Sequence, residues 1–199
     1  MSNVENFRPR SGYLLAFTAY FAISSFSYVN ILDYGFQGGL PSIAWGLWLC
    51  ALLYLIFIHP KVIFSDEGVV IINPMKKITI GWQDISEIDA RFTMYVDHLP
   101  TGVRYHAFAA QAPGRYHSRN IHPNEVKGLR IGDSGMIRAG ESPRSNSGAA
   151  TAIARARLEN FSKSGNLNSL KFATEINTNG LLIITALLAL ALVIQFFHT

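Results

Sequence analysis

The charged residues of this chain are segregated along its length. Only Asp33 carries a charge between Arg10 and Lys61, and no charged residue follows Glu175. A Lys, Arg or Asp at the centre of a bilayer costs about 3 kcal/mol on insertion scales, so long uncharged stretches predict membrane-spanning segments. The sequence therefore predicts an apolar N-terminal part, a water-soluble middle and an apolar tail.

Composition agrees with this division. Hydrophobic residues make up 49% of the chain and charged residues 15%, against about 25% charged residues in an average soluble protein. The formal charge of +4 is explained by the excess of Lys and Arg in cytoplasmic loops. No basic run alternates with aromatic residues, so nucleic-acid binding is not predicted. Cys50 is the only cysteine, which excludes an internal disulfide.

The pattern predicts three transmembrane helices, at about residues 11–32, 42–59 and 179–199. Each is long enough to span a bilayer. The first is longer than the apolar core of a signal peptide and lacks a clear cleavage site, which favours a retained anchor. Pro41 suits the start of the second helix. The spans contain no ionisable residue in a membrane core, so a channel or transporter is not predicted.

The cations near the span ends predict the orientation. Lysines follow the second span and precede the third, whereas the loop at 33–41 and the C-terminal end carry neither Lys nor Arg. The positive-inside rule then places the N-terminus and the soluble domain in the cytoplasm and the C-terminus outside. We expect a multi-pass protein of the cell membrane.

The soluble domain is expected at 61–165, and it opens with alternating apolar residues. Two β-branched runs flank a turn that ends at Gly68, Pro74 turns the chain again, and Trp82 ends a third strand. The longest alternation runs from Ile88 to Asp97 and predicts one half-buried strand, with Val103–Ala109 as its partner.

The alternating pattern then stops. Residues 111–148 are rich in Gly, Pro, Ser and charge, and a connection of this length is typical of an insertion with a functional or linking role. A helix is predicted to begin around Ser145–Gly148 with Ser147 as its cap, and Arg155 is expected to lie outside its apolar stripe. Residues 166–178 are expected to link this helix to the third span.

The run VIFSDEGVVIINPMKKITIGWQDISEI resembles the opening of bacterial pleckstrin-homology-like domains. More narrowly, it is similar to small actinobacterial membrane proteins with such a domain, including the downstream Ala-Pro-Gly-Arg at 112–115 and Ser-Pro-Arg-Ser at 142–145. The resemblance covers about residues 60–161. It implies an α+β fold in which a curved, partly open antiparallel β-barrel is capped by a C-terminal helix, here attached to three transmembrane α-helices. The long insertion and the third span depart from the family pattern, and a phosphoinositide specificity does not carry over.

The candidate contacts to lipid or to a partner are basic. They are Lys76, Lys77, Arg115, Arg119 and Arg130. The lysines form either a contact to anionic headgroups or a solvated hairpin tip, and the arginines belong to an insertion that is either a binding loop or a linker. Structural roles are expected for Gly68, Pro74 and Trp82, with Trp82 filling one end of the barrel.

No catalytic or metal site is predicted. His106, His117 and His122 lack the short ligand spacings of zinc sites, and the chain has no nucleophile elbow, phosphate-binding loop or HExxH sequence. We expect neither an enzyme nor a bound cofactor, and no small-molecule substrate.

Three functional hypotheses remain. The first is a membrane-tethered module that presents the soluble domain at the cytoplasmic face for protein interaction or scaffolding. The second is an accessory or stabilising subunit of a larger membrane complex, for example a respiratory one, with the spans packed against partner helices. The third is a sensor of anionic lipid surfaces.

Overall fold

The computed structural model describes residues 4–112, 145–165 and 168–198. The chain forms two compact units. One consists of Met1–Pro9 with Pro60–Glu175, and the other consists of Arg10–His59 with Ile176–Thr199. We refer to them as the β unit and the helical unit. Both are discontinuous in sequence, because the helical unit is inserted into the β unit and then continued after it.

The helical unit corrects the prediction of three transmembrane helices. Helix α1 runs from Arg10 to Leu53 and continues into a π-helical turn at Tyr54–Ile58. Among the residues that the structure describes, two helices are therefore long and apolar enough to cross a membrane, Arg10–Ile58 and the later α3, Thr178–His198. The prediction failed because residues 33–41, expected to be a loop outside the membrane, continue the helix with Gly35 as the one non-helical residue within it.

Gly35 folds α1 back on itself. Its φ of 71° and ψ of 175° belong to a region that only glycine adopts without strain. The hydroxyl of Tyr20 donates to the carbonyl of Cys50 at 3.3 Å, and the hydroxyl of Ser27 donates to the carbonyl of Ser42 at 3.2 Å. The two arms of α1 are thus antiparallel. Residues shortly before and shortly after the helix lie at the same end of it.

Helix α3 begins with a side-chain cap. The Oδ1 atom of Asn177 accepts a hydrogen bond from the backbone N–H of Gly180 at 3.0 Å, which satisfies one of the N–H groups left open at a helix start. The helix packs along α1, and near its end Gln195 accepts a hydrogen bond from the indole of Trp45 at 3.4 Å.

The β unit contains a five-stranded and a three-stranded sheet. The larger has the order β1–β2–β3–β4–β8, and its strands are Glu5–Phe7, Lys61–Phe64, Gly68–Ile72, Lys76–Gly81 and Ala173–Ile176. From β1 to β4, each strand pairs antiparallel with the next strand along the chain. Residues 173–176, placed in the linker by the sequence, thus form a strand, and so do residues 5–7 of the N-terminal tail.

The smaller sheet corrects the single strand predicted from Ile88 to Asp97. Two strands occupy this region, β5 at Ile85–Ala90 and β6 at Thr93–His98, and β6 pairs in turn with β7 at Val103–Gln111. Ala90 pairs with Met94, so the alternation of inward residues continues across the turn with unchanged parity. Phe92 interrupts it, since its side chain is 75% exposed at the tip.

The sheets do not close into a barrel, which corrects the predicted fold. A 3₁₀ turn at Trp82–Asp84 separates β4 from β5, and β4 pairs with β8 instead. The two sheets approach each other where β2 and β3 lie near β7. The side-chain amide of Asn73, which follows β3, takes the place of backbone pairing with β7. It donates to the carbonyl of His106 and accepts from the N–H of Phe108, both at 2.8 Å.

Helix α2, Asn146–Ser164, covers the core of the β unit. Its N-cap is Ser145, whose hydroxyl accepts from the N–H of Gly148 at 2.8 Å, so the prediction of Ser147 as the cap is wrong. Ser147 is instead fully buried. Ala150 and Ala154 lie in the core with no exposed surface, and these small side chains let the helix approach β5, β6 and β7. A helix over the sheets was predicted and is present.

Candidate interaction site

The segment 168–172, which we call the crossover, carries the chain from α2 to β8. The N–H of Leu170 donates to the carbonyl of Glu67 at 3.0 Å. Below the crossover, Gly68 and Gly81 pair across β3 and β4. A Cβ at Gly81 would collide with the carbonyl oxygen of Leu170 and the hydroxyl of Ser169. Both glycines are therefore required by close approach. The φ angle of Gly68 is not positive.

An aromatic stack fixes the far end of the crossover. The ring of Phe172 lies 4.0 Å from the ring of His98 at an interplanar angle of 20°, with Tyr105 beside both. His98 is 2% exposed, and its Nδ1 lies 2.8 Å from the hydroxyl of Thr101. Its Nε2 has no hydrogen-bond partner among the described residues. This stack anchors the chain immediately before β8 begins.

Strand β8 is an outer strand of the larger sheet and is mostly exposed. Its Glu175 receives a hydrogen bond from the ammonium of Lys77 at 3.1 Å. Ile176 at its end is 60% exposed. An outer strand offers one row of backbone N–H and C=O groups to another chain.

The other three outer strands differ from β8. Strand β1 has only three residues. On β5, the guanidinium of Arg155 donates from Nε to the carbonyl of Ile88 at 3.0 Å. On β7, the amide of Asn73 pairs with two backbone groups, as described above. Three outer strands in the described part of the chain have four or more residues, namely β5, β7 and β8. Side chains bond to the backbones of β5 and β7, and β8 is the one without such a bond.

A buried polar network lies between α2 and the β5–β6 hairpin. Asp89 and Tyr95 are each 6% exposed. The carboxylate of Asp89 accepts from Arg155 at 3.0 Å, from the hydroxyl of Tyr95 at 3.2 Å and from the N–H of Ala90 at 2.8 Å. Burial raises the pKa of the Tyr95 phenol, and the neighbouring Asp89 carboxylate raises it further. The alternation from Ile88 to Asp97 predicts an outward side chain at Asp89, which is instead buried.

The network continues to the surface through Arg104. Its guanidinium lies 3.8 Å from the ring centre of Tyr95 and donates two hydrogen bonds to Asp97 at 2.8 and 2.7 Å. These bonds hold the pKa of Asp97 below its ordinary value, although partial burial acts in the opposite direction. The carboxylate of Glu87 lies 3.9 Å from the same guanidinium. These charges are paired with one another, which is the arrangement of a structural network.

The structure separates the candidate residues named from the sequence. Lys76 is exposed at the start of β4, and Lys77 is bound to Glu175. Pro74 lies in the β3–β4 turn, which is closed by the N–H of Asn73 donating to the carbonyl of Lys76 at 2.8 Å. Residues Arg115, Arg119 and Arg130 lie outside the described residues, as do His117 and His122.

Trp82 lies in the core of the β unit. It is 1% exposed, and its indole donates to the carbonyl of Ser65 at 3.0 Å. His106 lies on β7 with its Nδ1 3.0 Å from the hydroxyl of Thr93. Among the described residues there is no group of three or more His, Cys, Asp or Glu side chains placed to hold a metal ion.

Comparison with known proteins gives no relative for this chain. No protein family model matches it, and neither a curated protein nor a solved structure matches it significantly. The resemblance to pleckstrin-homology-like membrane proteins therefore stays a prediction, and function has to be argued from the geometry.

The residues that sequence reasoning missed share a cause. Asp89 binds Arg155 across 66 residues and His98 stacks on Phe172, so no local pattern marks these contacts. Strands β1 and β8 are too short for an alternating pattern to be recognised. The Phe172–Ile176 run was the one local sign, because it combines an aromatic and two β-branched residues.

Proposed function

We propose that the protein is a non-enzymatic, membrane-anchored interaction module. The apolar helices α1 and α3 anchor it in the cell membrane, the β unit lies at the cytoplasmic face, and a protein partner pairs with the open edge of β8. The observation that carries this proposal is the contrast between β8 and the other outer strands.

Support for the membrane anchor comes from the exposure of the apolar helices. Only 11% of the most apolar window of α1 and 6% of that of α3 is buried within the chain. Helices of this hydropathy in a soluble core would be mostly buried. A bilayer supplies the missing apolar surroundings, and partner helices contribute further cover.

The orientation is supported by the pairing of β1 with β2. These strands flank α1 in the sequence, and Asn6 lies opposite Ile63. The chain therefore enters and leaves α1 on one side of the membrane. The lysines of the β unit make that side cytoplasmic under the positive-inside rule.

Labelling in intact cells tests the orientation. Single cysteines at Asp33 and at the exposed Phe92 are introduced into a Cys50→Ser background and treated with a membrane-impermeant thiol reagent. We expect labelling at 33 and protection at 92 until the cells are opened. Labelling at 92 in intact cells would contradict a cytoplasmic β unit.

Two adjacent proline substitutions test the edge. Successive N–H groups along a strand point to opposite sides, so one proline of the pair Thr174→Pro and Glu175→Pro removes an outward N–H and the other removes an N–H that faces β4. We expect one variant to keep its melting temperature and lose the partner in cross-linking and affinity purification from membranes, while the other is destabilised. The idea fails if the stable variant retains every partner of the parent protein.

A groove in the helical unit favours a second candidate function, that of an accessory subunit. Between the arms of α1 and the end of α3 lies an apolar groove of about 630 Å³ lined by Phe26, Trp45, Leu49 and Gln195 among others. A partner transmembrane helix fits such a groove through van der Waals contacts. Co-purification of a stable membrane complex that survives the proline substitutions and is lost on Gly46→Leu would favour this role.

The lipid-sensor hypothesis has less support. The charge of Lys77 is balanced by Glu175, which leaves Lys76 as the candidate cation of the β3–β4 turn. One surface lysine contributes about 1 kcal/mol to binding at an anionic membrane, so the β3–β4 turn alone is too weak a contact for a sensor.

A further inference from the structure

A second, smaller pocket lies in the helical unit where α1 ends and α3 begins. It has a volume of about 360 Å³, which is at the low end of the range of ligand sites. Its floor is apolar and is formed by Ala51, Leu55, Ile183 and Ile184. Its polar lining consists of Tyr54, His59 and Asn177.

The π-helical turn brings two of these polar residues together. In an α-helix, residues five apart lie about 140° apart around the axis. Here the N–H of His59 donates to the carbonyl of Tyr54 at 2.9 Å, and this i to i+5 bond turns both side chains toward one side. Their rings lie 6.4 Å apart. Such turns are rare and occur often at functional sites.

Asn177 completes the polar lining and lies against His59. Because its Oδ1 accepts the N–H of Gly180, its Nδ2 faces the Nε2 of His59 at 3.4 Å. The pocket is thus lined by a phenol, an imidazole and an amide, and Asp, Glu, Lys and Arg are absent from its lining.

We propose that this pocket binds the ester and glycerol region of a diacylglycerolipid. Hydrogen-bonding groups without a Lys or Arg among them, at the end of two apolar helices, match the ester carbonyls at the membrane interface, whereas a phosphate would call for a cation. The apolar floor takes the first methylenes of an acyl chain. This inference rests on the membrane anchoring in the proposed function and is independent of the β8 edge.

Photolabelling of the full chain in nanodiscs tests the site. The probes are a diester phosphatidylcholine and its diether analogue, each with a diazirine near the head of one chain, because the ether lacks the carbonyl acceptor. Loss of one hydrogen bond corresponds to about a fivefold change in occupancy. We expect the diester to label peptides containing residues 51–59 and 177–184 about fivefold more than the diether does.

Variants separate this pocket from general lipid contact. Ile183→Trp fills the floor, and Tyr54→Phe removes one hydroxyl, so both are expected to reduce the preference for the diester. Leu182→Trp is the matched control, because Leu182 is 67% exposed and does not line the pocket. We expect it to label as the parent does.

Two results would overturn the proposal. Equal labelling by both probes, or labelling spread evenly along α1 and α3, would show ordinary lipid contact and leave the membrane anchor intact. An absence of labelling anywhere on α1 and α3 would contradict the anchor itself, and with it the pocket.

Discussion

The ion pair between Arg155 and Asp89 makes the strongest prediction about stability. Replacing Arg155 by Ala removes the bond to Asp89 and the bond to the carbonyl of Ile88, both at 3.0 Å. The Asp89 side chain is 9% exposed, so its charge would remain buried with the Tyr95 hydroxyl and one backbone N–H as partners. Breaking a buried pair on one side costs about 3–5 kcal/mol, and the 36% exposure of Arg155 places this case near 3 kcal/mol.

Arg157, on the same helix, is the matched control. Its guanidinium lies 2.7 Å from Asp66 and 3.7 Å from Glu5, but these carboxylates are 46% and 49% exposed. Water can solvate them after the arginine is removed, so Arg157→Ala is expected to cost about 1 kcal/mol or less. The comparison isolates the burial of the carboxylate, since the chemistry of the two pairs is the same.

Urea unfolding of the full chain in detergent measures both effects. Trp82 is the one tryptophan in the β unit, so a Trp45→Phe, Trp48→Phe background makes its fluorescence the reporter. With an m-value of about 2 kcal/mol/M, a loss of 3 kcal/mol should lower the urea midpoint by about 1.5 M.

A second substitution is expected to recover part of the stability lost in Arg155→Ala. Asp89→Asn removes the stranded charge and is expected to restore about 1–2 kcal/mol in the Arg155→Ala background. Equal losses for Arg155→Ala and Arg157→Ala, or a further loss on adding Asp89→Asn, would refute the reasoning.

Three further predictions concern single residues. Arg104 lowers the pKa of Asp97 in the folded protein. This pair therefore stabilises the fold fully above the unfolded pKa of about 3.9, and its contribution is lost as the pH falls through the lower pKa of the folded state. Measured from pH 6 to pH 2.5, the free energy of unfolding should fall less in Asp97→Asn than in the parent protein. Gly81→Val is expected to displace the crossover at Leu170 and to lower the melting temperature well beyond the effect of Gly102→Ala, which meets no neighbouring atom and costs only the strain of a positive φ. Gly35→Ala should destabilise the helical unit by about 1–3 kcal/mol, measured as a lower thermal midpoint by circular dichroism, and an unchanged midpoint would contradict the fold at Gly35.

Local pattern was enough to predict the apolar segments and most strands of the β unit. β-branched runs flank the β2–β3 turn, and the strand predicted at Val103–Ala109 is present as part of β7. Local pattern failed at two element boundaries, the β5–β6 turn and the middle of α1. The β5–β6 turn preserved the alternation, and α1 continued through a stretch whose Gly and Pro residues are typical of loops.

The candidate edge was beyond prediction for a different reason. Whether β8 is open depends on what covers the other outer strands, and that depends on Asn73 and Arg155 finding backbone partners 33 and 67 residues away. No sequence window contains both members of such a pair. A network with these separations becomes visible only in three dimensions.

The outer strands β1 and β8 come from opposite ends of the sequence that forms the β unit. A recombinant fragment covering residues 61–165 would begin after β1 and end before β8. It would leave β2 and β4 as fresh edges with unpaired ladders, and such edges recruit other chains indiscriminately. Binding or aggregation by that fragment would report the cut edges rather than the native protein. A faithful soluble version would have to retain residues 4–9 and 168–176 and replace α1 by a short linker from Pro9 to Pro60.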